Sequence, residues 1–520
     1  MRYLIAIFSL ITLILTSCRA DFDFERSNGE LRFSKDTVYL DTVFTNIGSS
    51  TYTLKVYNKS NKNIAIPKIQ LEKGATSKYR LMVDGMPGKQ FENVELLAKD
   101  SMFIFVEVTA AAIDANPSDF LYTDKILFGE GTGIQKVELV TLIQDAIFIY
   151  PQRTPISDTA YDYESINLGT DANGNPVKIK ASILSENDPV NGNELLWTNQ
   201  KPYVIYGYAI VPSNKTLVVN AGARVHFHDQ SGIIVAQNGS LHINGTSSTT
   251  STMENEVIFE GDRLEPNFSG VAGQWGTIWL SQGSTNNKIS NLTLKNATAG
   301  LLITGNDGSN LPTLTLKNTQ IYNCSNVGIL ARTASMKGEN IVVSNCGQTS
   351  LACTMGGKYD FTHCTFANYW SSPNQNCMVL DDYYETQSGI TTVDLQQASF
   401  KNCIFYGSSN LSIKLTQKGN VYNYDFKNCL IKFFNPSTQL SSNPLYQFDS
   451  LAYSACLVAY NSTQSKPDFK NTAKNDFRIG ANSAAKGTAN FMYSSGTSDL
   501  KNSVRNNPSD IGAYNWITFD

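Results

Sequence analysis

Asp381-Asp382-Tyr383-Tyr384-Glu385 is the dense cluster of acids and aromatics in the second half of the chain. Two carboxylates beside a base suit abstraction of the proton next to a uronate carboxylate, with a divalent ion such as calcium neutralising the acid group. Lys358 is the candidate base, and Asp360 and Arg332 lie near it in the repeat described below. Asp381 and Asp382 also suit glycoside hydrolysis, in which a general acid and a base flank the scissile bond. A solvated loop accounts for the same cluster without chemistry. Trp370, Tyr383 and Tyr384 offer a second route, because exposed rings stack on sugar faces while hydroxyls bond sugar hydroxyls. Against it stands closure of the loop over the interior by Tyr369, Trp370 and the two tyrosines. His226 and His228 alternate with Val225 and Phe227 and share one strand face. Two histidines so placed can chelate zinc, but no third ligand is evident, so they read as surface histidines.

These residues must be positioned by a repeat. Asn291, Asn318, Asn340, His363, Asn402 and Asn428 occupy one position of one unit, as in Phe361-Thr-His-Cys-Thr-Phe, Phe400-Lys-Asn-Cys-Ile-Phe and Phe426-Lys-Asn-Cys-Leu-Ile. A polar residue precedes each, a small or apolar one follows, and three residues on stands Leu294, Ile321, Val343, Phe366, Phe405 or Ile431. Successive units are 27, 22, 23, 39 and 26 residues apart, a solenoid-scale period. Apolar positions at minus two, plus one and plus three cannot share one face of a straight strand, so the chain must bend at the Asn. Asn tolerates the left-handed conformation such a bend needs. Stacked at roughly 4.8 Å, the amides can hydrogen-bond along the column, and His363 can replace Asn as a bridging member. The pattern predicts a parallel β-helix whose coils bury their apolar faces against one another. An antiparallel sandwich with Asn-rich turns is the rival architecture.

The net charge of −4 and the 17% of charged residues create no strong field, so no nucleic-acid partner is expected. Abundant Gly, Asn, Ser, Thr and aromatics, without long amphipathic helical patterns, predict an all-β chain. Of nine cysteines, Cys324, Cys346, Cys364, Cys403 and Cys429 fall within the repeat frames. No close pairs of the CxxC kind occur, so small buried filling is expected rather than metal ligation. Stacked coils bring cysteines near enough for at most one disulfide among Cys364, Cys403 and Cys429.

Arg2, the apolar run Leu4 to Leu15 and Leu15-Thr-Ser-Cys18 form a targeting signal. The run is short for a membrane span, which needs about 20 apolar residues. Leu15-Thr-Ser-Cys18 resembles a bacterial lipobox, which implies cleavage before Cys18, its lipidation, and an outer-membrane lipoprotein. Asp21, Asp23 and Glu25 resemble the surface-export signal of Bacteroidota-type lipoproteins; a solvated linker is the plainer reading.

The expected organisation is a signal peptide over 1–17, an acidic tether over 18–26, a β-sandwich over 27–150, a connector and lead-in over 151–200 and the parallel β-helix over 201–520. Alternating runs such as Thr51-Tyr-Thr-Leu-Lys-Val-Tyr-Asn support the sandwich. With Asp41-Thr-Val-Phe they resemble the antiparallel immunoglobulin-like domains of exported proteins, without the Cys…Trp…Cys signature. Asp171-Ala-Asn173-Gly-Asn175 reads as a hairpin turn, since the acid that would complete a calcium loop is missing. Leu217-Val-Val-Asn-Ala-Gly-Ala-Arg-Val-His-Phe and the run from Gly232 resemble the opening coils of right-handed parallel β-helix proteins of the pectate-lyase-like superfamily. Asp476-Phe-Arg-Ile-Gly-Ala and Asp510-Ile-Gly-Ala-Tyr are similar to its closing segment. The resemblance spans roughly residues 200 to 520 and implies the fold more than an activity, because the superfamily holds catalytic and non-catalytic members. Its lyases bind calcium through acids on one sheet face beside an Arg or Lys, which implies roles for Asp381, Asp382 and Lys358. The Gly-His-Gly and Arg-x-Lys companions of its pectin-cleaving hydrolases are absent. The expected function is a surface glycan-binding or adhesive module without a cofactor. Its rivals are a polysaccharide lyase or hydrolase acting on acidic polysaccharides, with calcium only under the lyase reading, and a structural surface scaffold.

Overall fold

The computed structural model describes residues 23–519, apart from 159, 172, 373, 374 and 462. Cys18, the signal segment and Asp21 lie outside the described residues. The chain is all-β and divides into two compact units, one ending at Asp145 and the other starting at Ala146.

In the first unit a six-stranded sheet runs Glu25–Arg26, Ile64–Leu71, Leu121–Phe128, Gln135–Gln144 and Thr37–Phe44, with Gln90–Leu96 also on Ile64–Leu71. A five-stranded sheet runs Arg32–Phe33, Tyr52–Tyr57, Ser101–Val108, Tyr79–Val83 and Met86–Gly88. Alternate residues of both sheets, among them Val38, Ile66, Leu54 and Ile104, enter one hydrophobic core. Most pairings are antiparallel, but Thr37–Phe44 joins Gln135–Gln144 in parallel.

The second unit opens on two hairpins, Arg153–Ser157 with Ala160–Tyr163 and Ser165–Thr170 with Pro176–Ile183. The Asp171 carboxylate closes the second by accepting the Asn173 and Asn175 N–H groups at 2.8 Å. Two large sheets, of nineteen and ten strands, make up most of the unit; the second hairpin begins the ten-stranded one, and the pairings beyond it are parallel. The chain passes repeatedly from one to the other, and each pass pairs in parallel with the one before. Parallel strands need such crossovers.

Each of the six Asn or His positions sits in the left-handed region, with φ between 47° and 52°. The backbone ladder survives the bend because each N–H reaches the next pass: His363 to Lys401 O, Asn402 to Lys427 O and Asn428 to Ser454 O, all at 2.9 Å. Leu294, Ile321, Val343, Phe366, Phe405 and Ile431 pair in register as one interior column. A second column holds Phe361, Phe400, Phe426 and Tyr453, whose rings stack with centroids 5.1–5.5 Å apart. Such contacts are worth ~0.5–1.5 kcal/mol per pair beyond simple burial. In the same column Gly338 leaves the space that the Phe361 ring fills. The eight cysteines of the described residues are free thiols, and Cys364, Cys403, Cys429 and Cys456 occupy successive passes.

Two features of the repeat extend the sequence pattern. Ala455 (φ 53°) is a seventh bend, followed by Cys456 and Val458 in the expected frame. Asn296, Asn323 and Asn345, each five residues beyond a bend, form a second left-handed set. The outward columns also change character along the stack. Early passes present Glu260, Lys295 and Gln320, whereas later ones present Val342, Ala367, Ile404 and Leu430. Such an apolar outer face demands a cover. The C-terminal segment supplies it: Phe477, Leu500, Ala513 and Tyr514 pack on Val342 and Ala367, and Ile479, Ala485 and Ile511 on Ile404 and Leu430.

Candidate functional site

The covering segment is tied to the Asn column. Asn402 and Asn490 exchange a reciprocal pair, Asn490 N–H to Asn402 Oδ1 at 2.9 Å and Asn402 Nδ2 to Asn490 O at 3.0 Å. Asn340 Nδ2 donates both to Asn318 Oδ1 (3.0 Å) and to Ser498 O (2.7 Å). His363 Nε2 lies 2.8 Å from Ser494 Oγ and 3.1 Å from Asn402 Nδ2. Between Asn340 and His363 the column is broken by Arg505, only 2% exposed, which donates to Asn340 Oδ1 and Gly512 O, both at 2.9 Å. The expected amide-to-amide stacking thus holds at one step, Asn340 to Asn318, and the His363 imidazole bonds the Asn402 amide at another. Elsewhere the column is an edge of polar groups on which the closing segment docks. Asn291 bonds Gly245 O instead, where the earlier pass has a glycine.

The segment itself lines an open cavity of about 540 Å³, within the range of ligand pockets. Arg478, Asp499, Lys501, Ser503, Tyr514 and Trp516 supply its chemically distinctive walls. Local hydrogen bonds make it rigid. The buried Asp499 carboxylate accepts the Lys501 (2.9 Å), Ser503 (2.8 Å) and Asn515 (2.9 Å) N–H groups, so both its oxygens are engaged inward. Asp510 likewise accepts Gly487 N–H and Trp516 N–H, both at 2.7 Å. Asn515 Nδ2 ties down Ser503 O and Val504 O. The basic groups each have a partner on the protein. Arg478 is held bidentately by Asp476 at 2.8 and 2.5 Å, which raises its pKa; burial opposes that rise. Lys501 Nζ lies 3.4 Å from Glu256, and Lys486 Nζ sits 3.6 Å from the centre of the Trp516 ring, which is 40% exposed.

The residues singled out in the sequence are elsewhere. Asp382 is 0% exposed, and its carboxylate accepts Lys418 N–H at 2.7 Å and Gly419 N–H at 2.8 Å. Asp381 accepts Met355 N–H at 2.9 Å, and burial raises its pKa despite that bond. Both acids stitch backbone to backbone and do not converge on an open groove. Lys358, on Gly357–Thr362 of the other sheet, forms no ion pair with either among the described residues. Trp370 precedes the strand Asn376–Asp381, and Tyr383 follows it. Six extended residues, ~20 Å, separate them, so the aromatics expected to act together stand at opposite ends of one strand. Tyr383 and the exposed Tyr384 belong to the hairpin Tyr383–Thr386 with Gly389–Thr392, and Lys418 approaches the Tyr383 ring at 5.8 Å. Tyr369 packs on Phe469 and Phe477, inside the cover.

His226 and His228 do share a face, but they diverge chemically. His226 is buried, its pKa lowered mainly by that burial, and the neighbouring Glu260 takes its ion pair from Lys295 at 2.6 Å. His228 is raised above its ordinary value by the Asp262 carboxylate 2.7 Å away, and its ring stacks on Tyr206. No group of three His, Cys, Asp or Glu side chains among the described residues is arranged to hold a metal ion.

No family model matches the chain, and no curated protein matches it. Among solved structures, the PapD-like domain of human CEP192 is similar at 8% identity and TM-score 0.15, covering 25% of this chain and 96% of its own. A family 123 glycoside hydrolase from Clostridium perfringens is similar at 8% identity and TM-score 0.15, covering 22% of this chain and 26% of its own. The catalytic domain of a GH87 alpha-1,3-glucanase, solved with tetrasaccharides, is similar at 11% identity and TM-score 0.18, covering 73% of this chain and 82% of its own. At these TM-scores the likenesses carry no functional argument.

The sequence signals for Trp516, Arg478 and Lys501 were weak, because each is an isolated residue in a closing segment. The three lie within one stretch of chain, and the looping of that stretch on itself makes them neighbours.

Proposed function

We propose that this protein is a carbohydrate-binding module of the cell surface. The cavity lined by Trp516 carries the reading: a part-exposed indole, two cations held in ion pairs, and amide and hydroxyl groups line it, while the Asp499 carboxylate is engaged by backbone amides. Rings and fixed polar groups recognise sugars, whereas hydrolysis needs two carboxylates with access to the bond. Asp382 does not offer that access and the half-buried Asp381 stands without a second such acid, which supports binding over catalysis.

The finer architecture belongs to the same proposal. Successive parallel passes and left-handed bends support a right-handed parallel β-helix of the pectate-lyase-like kind, and the two-sheet first unit supports an immunoglobulin-like sandwich. The lipobox-like sequence supports anchoring of the protein to the outer membrane through Cys18. No helix among the described residues is long and apolar enough to cross a membrane.

Glycan-array retention of the full chain and of Trp516→Ala, Trp370→Ala and Tyr384→Ala tests the site, with circular dichroism as the control for folding. Loss confined to Trp516→Ala is expected. Loss in Trp370→Ala or Tyr384→Ala with Trp516→Ala unaffected would move the site to the long interval of the repeat. For the anchor, Cys18→Ser is expected to abolish acyl labelling, and persistent labelling would refute it.

A further inference from the structure

One face of the first unit differs from the rest of its surface. On the five-stranded sheet the residues that turn away from the core include Tyr57, Phe103, Phe105 and Met82, with Phe103 50% and Met82 41% exposed. Strand register sets them side by side: Phe103 stands opposite Lys55, and Phe105 opposite both Thr53 and Met82. The two Phe rings stack with centroids 6.4 Å apart. Lys55 Nζ lies 5.1 Å from the centre of the Phe103 ring, and Lys59 Nζ 4.7 Å from that of Tyr57, so both cations rest on rings. On the six-stranded sheet, by contrast, charges are matched in ion pairs, Lys125 with Glu72 and Lys136 with Glu138. A contiguous exposed patch of rings and a thioether marks a docking surface.

The path of the chain selects the partner. Glu25 N–H donates to Asn63 O at 2.9 Å, and the Glu25 carboxylate accepts from Lys62 Nζ at 2.6 Å, so the chain enters at the turn that follows Tyr57 and Lys59. Asp23 stands five residues beyond Cys18, and such a stretch spans at most ~18 Å. A lipid chain on Cys18 therefore holds this corner within that distance of the membrane surface. We propose that the Phe103–Phe105 face docks on the lipid surface that anchors Cys18, its rings and Met82 in the headgroup layer and Lys55 and Lys59 on anionic headgroups. This rests on the anchoring reading given above. Apolar and aromatic side chains enter the boundary of headgroups and acyl chains, and long Lys stems leave the ammonium at the charged level. A second copy or another protein could cover the same area, but the tether does not keep it within reach. Burying the exposed half of one Phe, or bringing one Lys to an anionic surface, corresponds to about fivefold in the docked-to-undocked ratio.

The test is hydroxyl-radical footprinting, read by mass spectrometry, of the acylated full chain in vesicles of phosphatidylethanolamine and phosphatidylglycerol. The reference is the chain from Ala20 free in buffer, which keeps every described residue. Phe103, Phe105 and Met82 should be oxidised at least about fivefold more slowly on the vesicles, while Tyr39 on the other sheet is unchanged. Lys55→Gln combined with Lys59→Gln should remove most of that protection. An acylated chain whose rings stay as reactive as in buffer would overturn the docking and leave the anchor standing. Protection undiminished in the double Lys variant, or shared equally by Tyr39, would also overturn it. Protection that rises with concentration in the free chain would give the face to a second copy and overturn the lipid as its partner. Absence of an acyl label on Cys18 would overturn the anchor and the docking together.

Discussion

Replacing Arg505 by Met tests whether the closing segment is an independently held cover. Methionine keeps the apolar stem of the side chain but removes every donor. Arg505 Nη2 donates at 2.9 Å to Asn340 Oδ1 and to Gly512 O, and Nη1 reaches Asp510 O at 3.4 Å. A buried acceptor deprived of its donor costs ~1–3 kcal/mol, so the two short bonds set a range of ~2–6 kcal/mol. Part returns, because the guanidinium is itself costly to bury: burial lowers its pKa to about 10, against the attraction of Asp499 and Asp510. The lower part of the range, about 2–3 kcal/mol, is the expected net, which is about 30- to 150-fold in an opening equilibrium. Hydrogen exchange read by mass spectrometry gives that equilibrium segment by segment. Peptides over residues 490–517, which include the Gly512 N–H bonded to Asn402 O, should exchange faster by that factor, while the strand Leu314–Cys324 is unchanged. A change below about threefold would refute the calculation. A uniform rise across all passes would refute the independence of the cover.

Three further outcomes follow from the same geometry. His363 is held below its ordinary value of 6.5, first by burial and then by the Arg505 charge, so the closed state stays neutral while the opened state takes up a proton. Stability of the cover is therefore complete above pH 6.5 and is lost as pH falls below it; at pH 5 the wild type should open about 10- to 30-fold more than His363→Asn, measured by exchange relative to pH 7.5. Ala455, at φ 53°, bears the steric cost of a left-handed side chain, so Ala455→Gly should raise urea stability by about 0.5–1 kcal/mol; a loss would contradict the strain assigned to that bend. Asp382→Ala should destabilise by about 2–4 kcal/mol in the same assay through the orphaned Lys418 and Gly419 N–H groups, and a neutral result would reopen a role for that acid in solution chemistry.

The repeat was legible because its cause is local. A parity change in the apolar pattern requires a bend, and Asn or His at that position provides the left-handed φ, so six residues announced both the conformation and the interior columns. Ala455 escaped notice because its residue type carries no such signal, although Cys456 and Val458 keep the frame. Asp381 and Asp382 show a related limit: a carboxylate that catalyses and one that accepts backbone N–H groups look the same in sequence, and only the structure shows that Asp382 is buried on Lys418 and Gly419. The docking of the closing segment was not legible at all. Arg505 meets Asn340 and Lys501 meets Glu256 across 165 and 245 residues, and no periodicity connects residues that meet through a single fold-back. Sequence alone determined what recurs with the strand and its bend. Tertiary structure decided which polar groups are saturated inward, which cations face solvent, and therefore where a ligand can bind.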